Sequence, residues 1–261
     1  MGRKTLVVAN WKMNLTVHEA SLYVNKLNDV LKNHRNVEIV LAPTLLALQS
    51  LSLQVDHNKF KLAVQNLYWR DEGAYTGEVS AHQLRGLVQY AIIGHSERRH
   101  IFHEQDKELR AKVQAAVRNH ITPILCIGET AHERSEGETD AILHDQIVGG
   151  LANLTSDEVE DIVIAYEPVW AISKGKDFAK HAVATPSIVE KAIETIRKQI
   201  EHLYGKKAAQ SVRVLYGGST KMANAASFMG IRGLDGFLVG GASLIEHEFS
   251  GIIKAAHERT V

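Results

Sequence analysis

The chain has a single cysteine, Cys126, in 261 residues. An internal disulfide is excluded, and a reducing compartment is the expected setting. Neither charge is in surplus, since 30 Lys and Arg stand against 30 Asp and Glu. No basic field advertises nucleic acid and no excess charge suggests an anionic membrane surface, so an anionic ligand has to be held by local groups. Long apolar runs are missing as well. The longest are strand-sized, far short of the roughly 20 residues that a membrane span needs, and the N-terminus shows no long apolar leader segment. No Pro, Gly or Ser-rich linker, low-complexity tract or abrupt change of composition divides the sequence. One domain over residues 1–261 and a cytoplasmic protein are the expectations.

What the chain has is alternation. Short β-rich apolar runs at 6–9, 37–42, 60–65, 90–94, 121–127, 161–167, 212–216 and 236–239 predict eight strands. Amphipathic stretches at 16–31, 106–119, 139–151 and 187–204 have apolar residues at helical spacing. Eight strand-helix units in about 250 residues suit a closed parallel barrel. A doubly wound open sheet usually has fewer strands and a Gly-rich turn after the first, whereas here the first run leads into Asn10-Trp11-Lys12. The predicted fold is α/β, a single (β/α)8 barrel.

Unusual polar or glycine residues follow seven of these runs: Asn10 and Lys12, Gln65 and Asn66, His95 and Glu97, Glu129, Glu167, Gly217-Gly218-Ser219 and Gly240-Gly241. In a parallel barrel these positions share the rim where barrel enzymes do their chemistry. Glu167 ends an apolar strand, and Pro168 forces the chain out of the ladder. Taken alone, such a Glu is most often a structural carboxylate. The short-chained, Gly-bearing stretch 171–176 that follows reads as a lid, and a closing lid gives a general base the dry surroundings it needs. His95 sits between a strand and a helix start, where a neutral imidazole could polarise a carbonyl, with Ser96 expected as the helix cap. Lys12 is the simplest cation to offset a phosphate or an oxyanion, and Asn10 would orient it. The paired glycines after the seventh and eighth strands let backbone amides approach an anion. Other motifs fail: Gly175-Lys176-Asp177 lacks Walker spacing, and His100, His103 and Glu104 read as an exposed helix start, so neither metal nor cofactor is expected.

Six segments, Asn10-Trp11-Lys12-Met13-Asn14, Gly94-His95-Ser96-Glu97-Arg98-Arg99, Cys126-Ile127-Gly128-Glu129, Ala165-Tyr166-Glu167-Pro168-Val169-Trp170, Tyr216-Gly217-Gly218-Ser219 and Val239-Gly240-Gly241-Ala242-Ser243-Leu244, closely resemble the triosephosphate isomerase family across essentially the whole chain. The resemblance implies a (β/α)8 TIM barrel that interconverts dihydroxyacetone phosphate and glyceraldehyde 3-phosphate through an enediolate. A Glu base beside a neutral His electrophile is that family's established pattern of acid-base tuning. It implies Glu167 as the base, His95 as the electrophile, Lys12 with Asn10 as charge stabiliser and Glu97 as support. It also implies backbone amides of Ser173, Ser219, Gly240 and Gly241 around the phosphate, and Pro168, Val169, Trp170 and Glu129 at the lid hinge. A homodimer is implied too, with the loop 71–78, and Thr76, Gly77 and Glu78 within it, reaching the partner's site. Three departures stand out: Ser173-Lys174 at the lid tip, about six extra residues at 177–182, and a segment 85–88 one residue shorter than usual. The altered lid keeps open a paralogue acting on a four-carbon ketose phosphate, and, because fold alone does not prove function, a barrel that binds a phosphate or a partner without turnover is the other alternative.

Overall fold

The computed structural model describes residues 3–31, 34, 36–172 and 183–258. Its strands are β1 (Thr5–Asn10), β2 (Val37–Ala42), β3 (Phe60–Val64), β4 (Tyr90–Ile93), β5 (Thr122–Ile127), β6 (Val163–Tyr166), β7 (Arg213–Tyr216) and β8 (Gly236–Val239). They pair in parallel in chain order, and β8 returns to β1 to close the barrel. The two-residue period of a strand sorts its side chains between inside and outside. Leu6 and Val8 fill the barrel with Val40, Ile92, Ile124 and Leu215, while Val7 and Ala9 face the helical shell. Closure between β8 and β1 needs Gly236, whose φ is +145° and where a Cβ would stand 1.8 Å from the Leu6 carbonyl oxygen.

Local sequence marks the helix starts. Thr16 accepts the Glu19 amide and receives the Glu19 carboxylate in return, opening helix Val17–Val30. Thr130 with Glu133 and Thr155 with Glu158 form the same reciprocal box. Helix Pro186–Ser211 departs from helical geometry at Gly205 (φ +88°), where the stretch predicted at 187–204 ends. The sixth strand, predicted at 161–167, is shorter because Asp161 closes helix Ser156–Glu160 and Tyr166 is the last paired residue. The short segment 85–88 is taken up in a turn at Gly86 (φ +80°), with the Leu87 and Val88 amides both on the Leu84 carbonyl.

At the N-terminal ends of the strands, charge is closed off. Arg213 donates to the Tyr90 hydroxyl at 2.7 Å and lies 3.4 Å from Glu38, to which Tyr90 donates. Burial pushes the Tyr90 phenol up to about 12. Beside β8, Asp235 binds Arg3 at 2.8 Å and Arg197 at 2.6 Å and accepts the Val214 amide at 2.8 Å.

Candidate active site

At the opposite rim the sequence-predicted residues converge. Lys12 follows β1 with φ +52°, a left-handed conformation that is costly for a side chain with a Cβ. Its neighbours impose it: Asn10 Oδ1 accepts the Lys12 amide at 3.1 Å, and Gln65 Nε2 donates to the carbonyls of Lys12 (2.8 Å) and Ala42 (2.9 Å). The Lys12 stem passes over Gly240, where a Cβ would meet Lys12 Cε at 3.3 Å. Its ammonium ends on Glu97 Oε1 at 2.7 Å. Sequence reasoning saw Gln65 only as a polar residue after the third strand; its position just past β3 is the one signal of its role.

His95, and not the expected Ser96, caps helix Ser96–His100. Its Nδ1 accepts the Glu97 amide at 3.2 Å, a geometry that fits the tautomer with its N–H at Nε2. That short helix has five residues, so this direct bond, more than any long dipole, favours that tautomer. Nε2 lies 3.2 Å from Glu167 Oε1.

Glu167 is 2% exposed. Its Oε2 accepts the Ser96 amide at 2.9 Å, while Oε1 is buried with no aligned donor among the described residues. Two glycines make room for it. At Gly217 a Cβ would stand 2.7 Å from Glu167 Cγ, and at Gly128 it would stand 2.0 Å from the Glu167 carbonyl oxygen. Burial, and then the nearby Glu167 charge, push the Cys126 thiol well up, so it stays an inert core group.

The residues predicted for the hinge also meet. Glu129 is fully buried and accepts from the Tyr166 hydroxyl at 3.1 Å and from Trp170 Nε1 at 2.8 Å. Arg134 stacks 4.4 Å over the Trp170 ring and lies 3.6 Å from Glu129. The backbone past Pro168 is pinned by the Val169 amide on the Glu129 carbonyl at 3.0 Å, before the 3-10 turn Val169–Ala171. Trp170 is thus tethered at the foot of the predicted lid.

Lys12 and His95 line one cavity, and the buried carboxylate of Glu167 lies behind His95, 3.2 Å from Nε2 and outside the cavity lining. A cation, an imidazole and a carboxylate in this order suit proton abstraction next to a carbonyl. A family model described as triosephosphate isomerase matches residues 5–256. The chain belongs to the triosephosphate isomerase family. A protein of that name from Geotalea uraniireducens is 42% identical over 253 residues, covering 97% of this chain and 98% of its own. Those from Clostridium beijerinckii and Streptococcus mutans are 39% and 40% identical, over 96% and 97% of this chain and 99% and 98% of theirs.

The other predicted positions of this triosephosphate isomerase family member are less uniformly placed. Ser173, Lys174 and the extra residues 177–182 lie outside the described residues. The Ser219 amide donates to the Ala171 carbonyl at 3.3 Å. Gly240 caps the 3-10 turn Gly241–Leu244, which is braced by Ser243 Oγ on the Gly240 carbonyl (2.7 Å) and by the Tyr23 hydroxyl on the Ser243 carbonyl (2.7 Å). A cavity of about 370 Å³ is lined by Asn10, Lys12, His95 and Glu97, with Gly77 and Glu78 on its outer wall. Thr76 is exposed and does not line it. Among the cavity's lining residues Met13 (93%), Phe102 (63%) and Leu45 (47%) are exposed apolar groups. The expected helix start is not formed: His100 ends helix Ser96–His100, His103 follows it with φ +58°, and Glu104 Oε1 takes Arg98 at 2.5 Å and Lys112. Among the described residues, no group of three or more His, Cys, Asp or Glu could hold a metal ion. No helix among them is long and apolar enough to cross a membrane.

Proposed function

We propose that the protein is a triosephosphate isomerase, working as one catalytic domain on dihydroxyacetone phosphate and D-glyceraldehyde 3-phosphate in cytoplasmic glycolysis and gluconeogenesis. The observation that carries the mechanism is the second oxygen of Glu167, buried, without an aligned donor among the described residues, and 3.2 Å from His95 Nε2. Glu167 removes a proton from C1 of dihydroxyacetone phosphate, the C2 carbonyl becomes the oxyanion of an enediolate, and the same carboxyl returns the proton to C2. His95 Nε2–H polarises the carbonyl and shuttles protons between the two oxygens. The Lys12 ammonium offsets the negative charge, with Asn10 fixing its backbone and Glu97 its direction. No electrons leave the substrate, so the reaction needs no cofactor.

Backbone amides of Ser173, Ser219, Gly240 and Gly241 hold the phosphate. For Ser219 this requires its amide to leave the Ala171 carbonyl, which links phosphate binding to movement at the hinge of Pro168, Val169 and Trp170. Closure excludes water, protecting an intermediate that would otherwise eliminate phosphate. The working form is a homodimer in which Thr76 of one protomer braces the other's Asn10 and Lys12. The exposed apolar groups around the cavity and the projecting loop 71–78 support that reading.

The test is kcat/KM on dihydroxyacetone phosphate beside a four-carbon ketose phosphate. A preference for the three-carbon substrate by at least about tenfold is expected, roughly what one extra carbon is worth in a shaped pocket. A preference for the larger sugar would overturn the substrate, and turnover of neither would leave a binding barrel.

A further inference from the structure

β4 ends at Ile93, opposite Leu125, and the chain then turns away towards His95. β5 continues beyond that point. In a parallel strand alternate residues direct both N–H and C=O to the same side. Ile127 and Glu129 face β6, where their carbonyls take the Glu167 amide at 2.7 Å and the Val169 amide at 3.0 Å. Cys126 and Gly128 face the other side, which β4 has left. Buried peptide groups without partners are costly, and two side chains fill the gap. Arg99 Nη2 donates to the Cys126 carbonyl at 3.2 Å. Gln146, on helix Thr139–Leu151, serves Gly128 twice: its Oε1 accepts the Gly128 amide at 2.8 Å and its Nε2 donates to the Gly128 carbonyl at 3.3 Å.

We propose that Gln146 is a positioning residue for the isomerisation, its carboxamide replacing the missing strand and setting where Gly128 and, through it, Glu167 sit. The coupling is direct because the Gly128 and Glu167 backbones touch with no room even for a methyl group. The residue after Gly128 is Glu129, which tethers Trp170 and Val169, so the same carboxamide stands behind both the base and the lid anchor. This inference rests on the reading of Glu167 as the base.

The experiment compares wild type with Gln146→Met, which keeps the side chain's length without its polar atoms, and Gln146→Asn, which withdraws the carboxamide by one methylene. Gln114→Met is the control, because it breaks a comparable side-chain bond, to the Ala152 carbonyl at 3.1 Å, on helix Asp106–Arg118. Turnover of dihydroxyacetone phosphate is measured well below each variant's Tm. Both Gln146 variants are expected to lose about 10- to 100-fold in kcat, the scale of a small misplacement of a reacting group, with KM nearly unchanged. The control is expected to lose Tm alone. Gln146 variants that lose only Tm, like the control, or that raise KM at constant kcat, would overturn the positioning role. A wild type without turnover would overturn the isomerase reading itself, and this inference with it.

Discussion

At the N-terminal end of the barrel Asp235 meets Arg3 at 2.8 Å and Arg197 at 2.6 Å and also takes the Val214 amide. At the C-terminal end Glu167, whose side chain is no more exposed (3% against 7%), takes one amide and leaves Oε1 without an aligned donor among the described residues. A buried carboxylate surrounded by donors has its lone pairs used up, and it contributes stability and no chemistry. One that is equally buried but half satisfied keeps an oxygen free to take a proton. The same contrast holds for the cations. Arg197 spends its guanidinium on the carbonyls of Ala209, Val212 and Gly233 as well as on Asp235. Lys12 has one carboxylate, an open cavity beside it and a strained backbone beneath it. The left-handed Lys12 and the unmatched Glu167 oxygen both lie at the C-terminal rim, whereas the Asp235 network at the other end is closed.

The contrast can be tested at each end. Lys12→Ala is expected to lower kcat/KM by roughly 10³-fold, about 4 kcal/mol of transition-state stabilisation, with both KM and kcat affected because phosphate and oxyanion lose the same cation. Relief of the left-handed strain does not apply, since Ala has a Cβ too, so Tm should change little; unchanged kinetics would remove Lys12 from the site. Asp235→Ala at the other end should do the reverse. It leaves Arg197 and Arg3 without their carboxylate and is expected to cost about 3 kcal/mol in denaturant unfolding. At temperatures where the variant is folded, its kcat/KM should stay within about twofold of wild type. A large catalytic loss there would mean that the two ends are coupled.

Much of this was legible in the sequence because a parallel barrel imposes a simple phase: apolar run, then a rim residue. That phase located Asn10, Lys12, His95, Glu129, Glu167 and both glycine pairs before any geometry was known. It also explains the errors. The cap of helix Ser96–His100 was assigned to Ser96 on residue preference, whereas the turn after β4 gives it to His95, whose Nδ1 does what a serine oxygen would. Gln65 is legible only as a polar rim residue after the third strand, and Gln146 not at all. Each meets backbone far away in sequence, Gln65 at Lys12 and Gln146 at Gly128, and only the fold brings those groups together. The lid tip departs from the family in Ser173-Lys174 and in the extra residues 177–182, and these lie outside the described residues.

The most direct test of Glu167 as the proton-transfer base is turnover of dihydroxyacetone phosphate by wild type and Glu167→Gln, with binding of a phosphate-bearing substrate mimic measured on the same samples. The amide keeps the shape and removes the base. The expected result is a fall in kcat of roughly 10²- to 10⁴-fold with the mimic still bound. A loss of only a few-fold with binding intact would contradict it and place the base elsewhere on the rim.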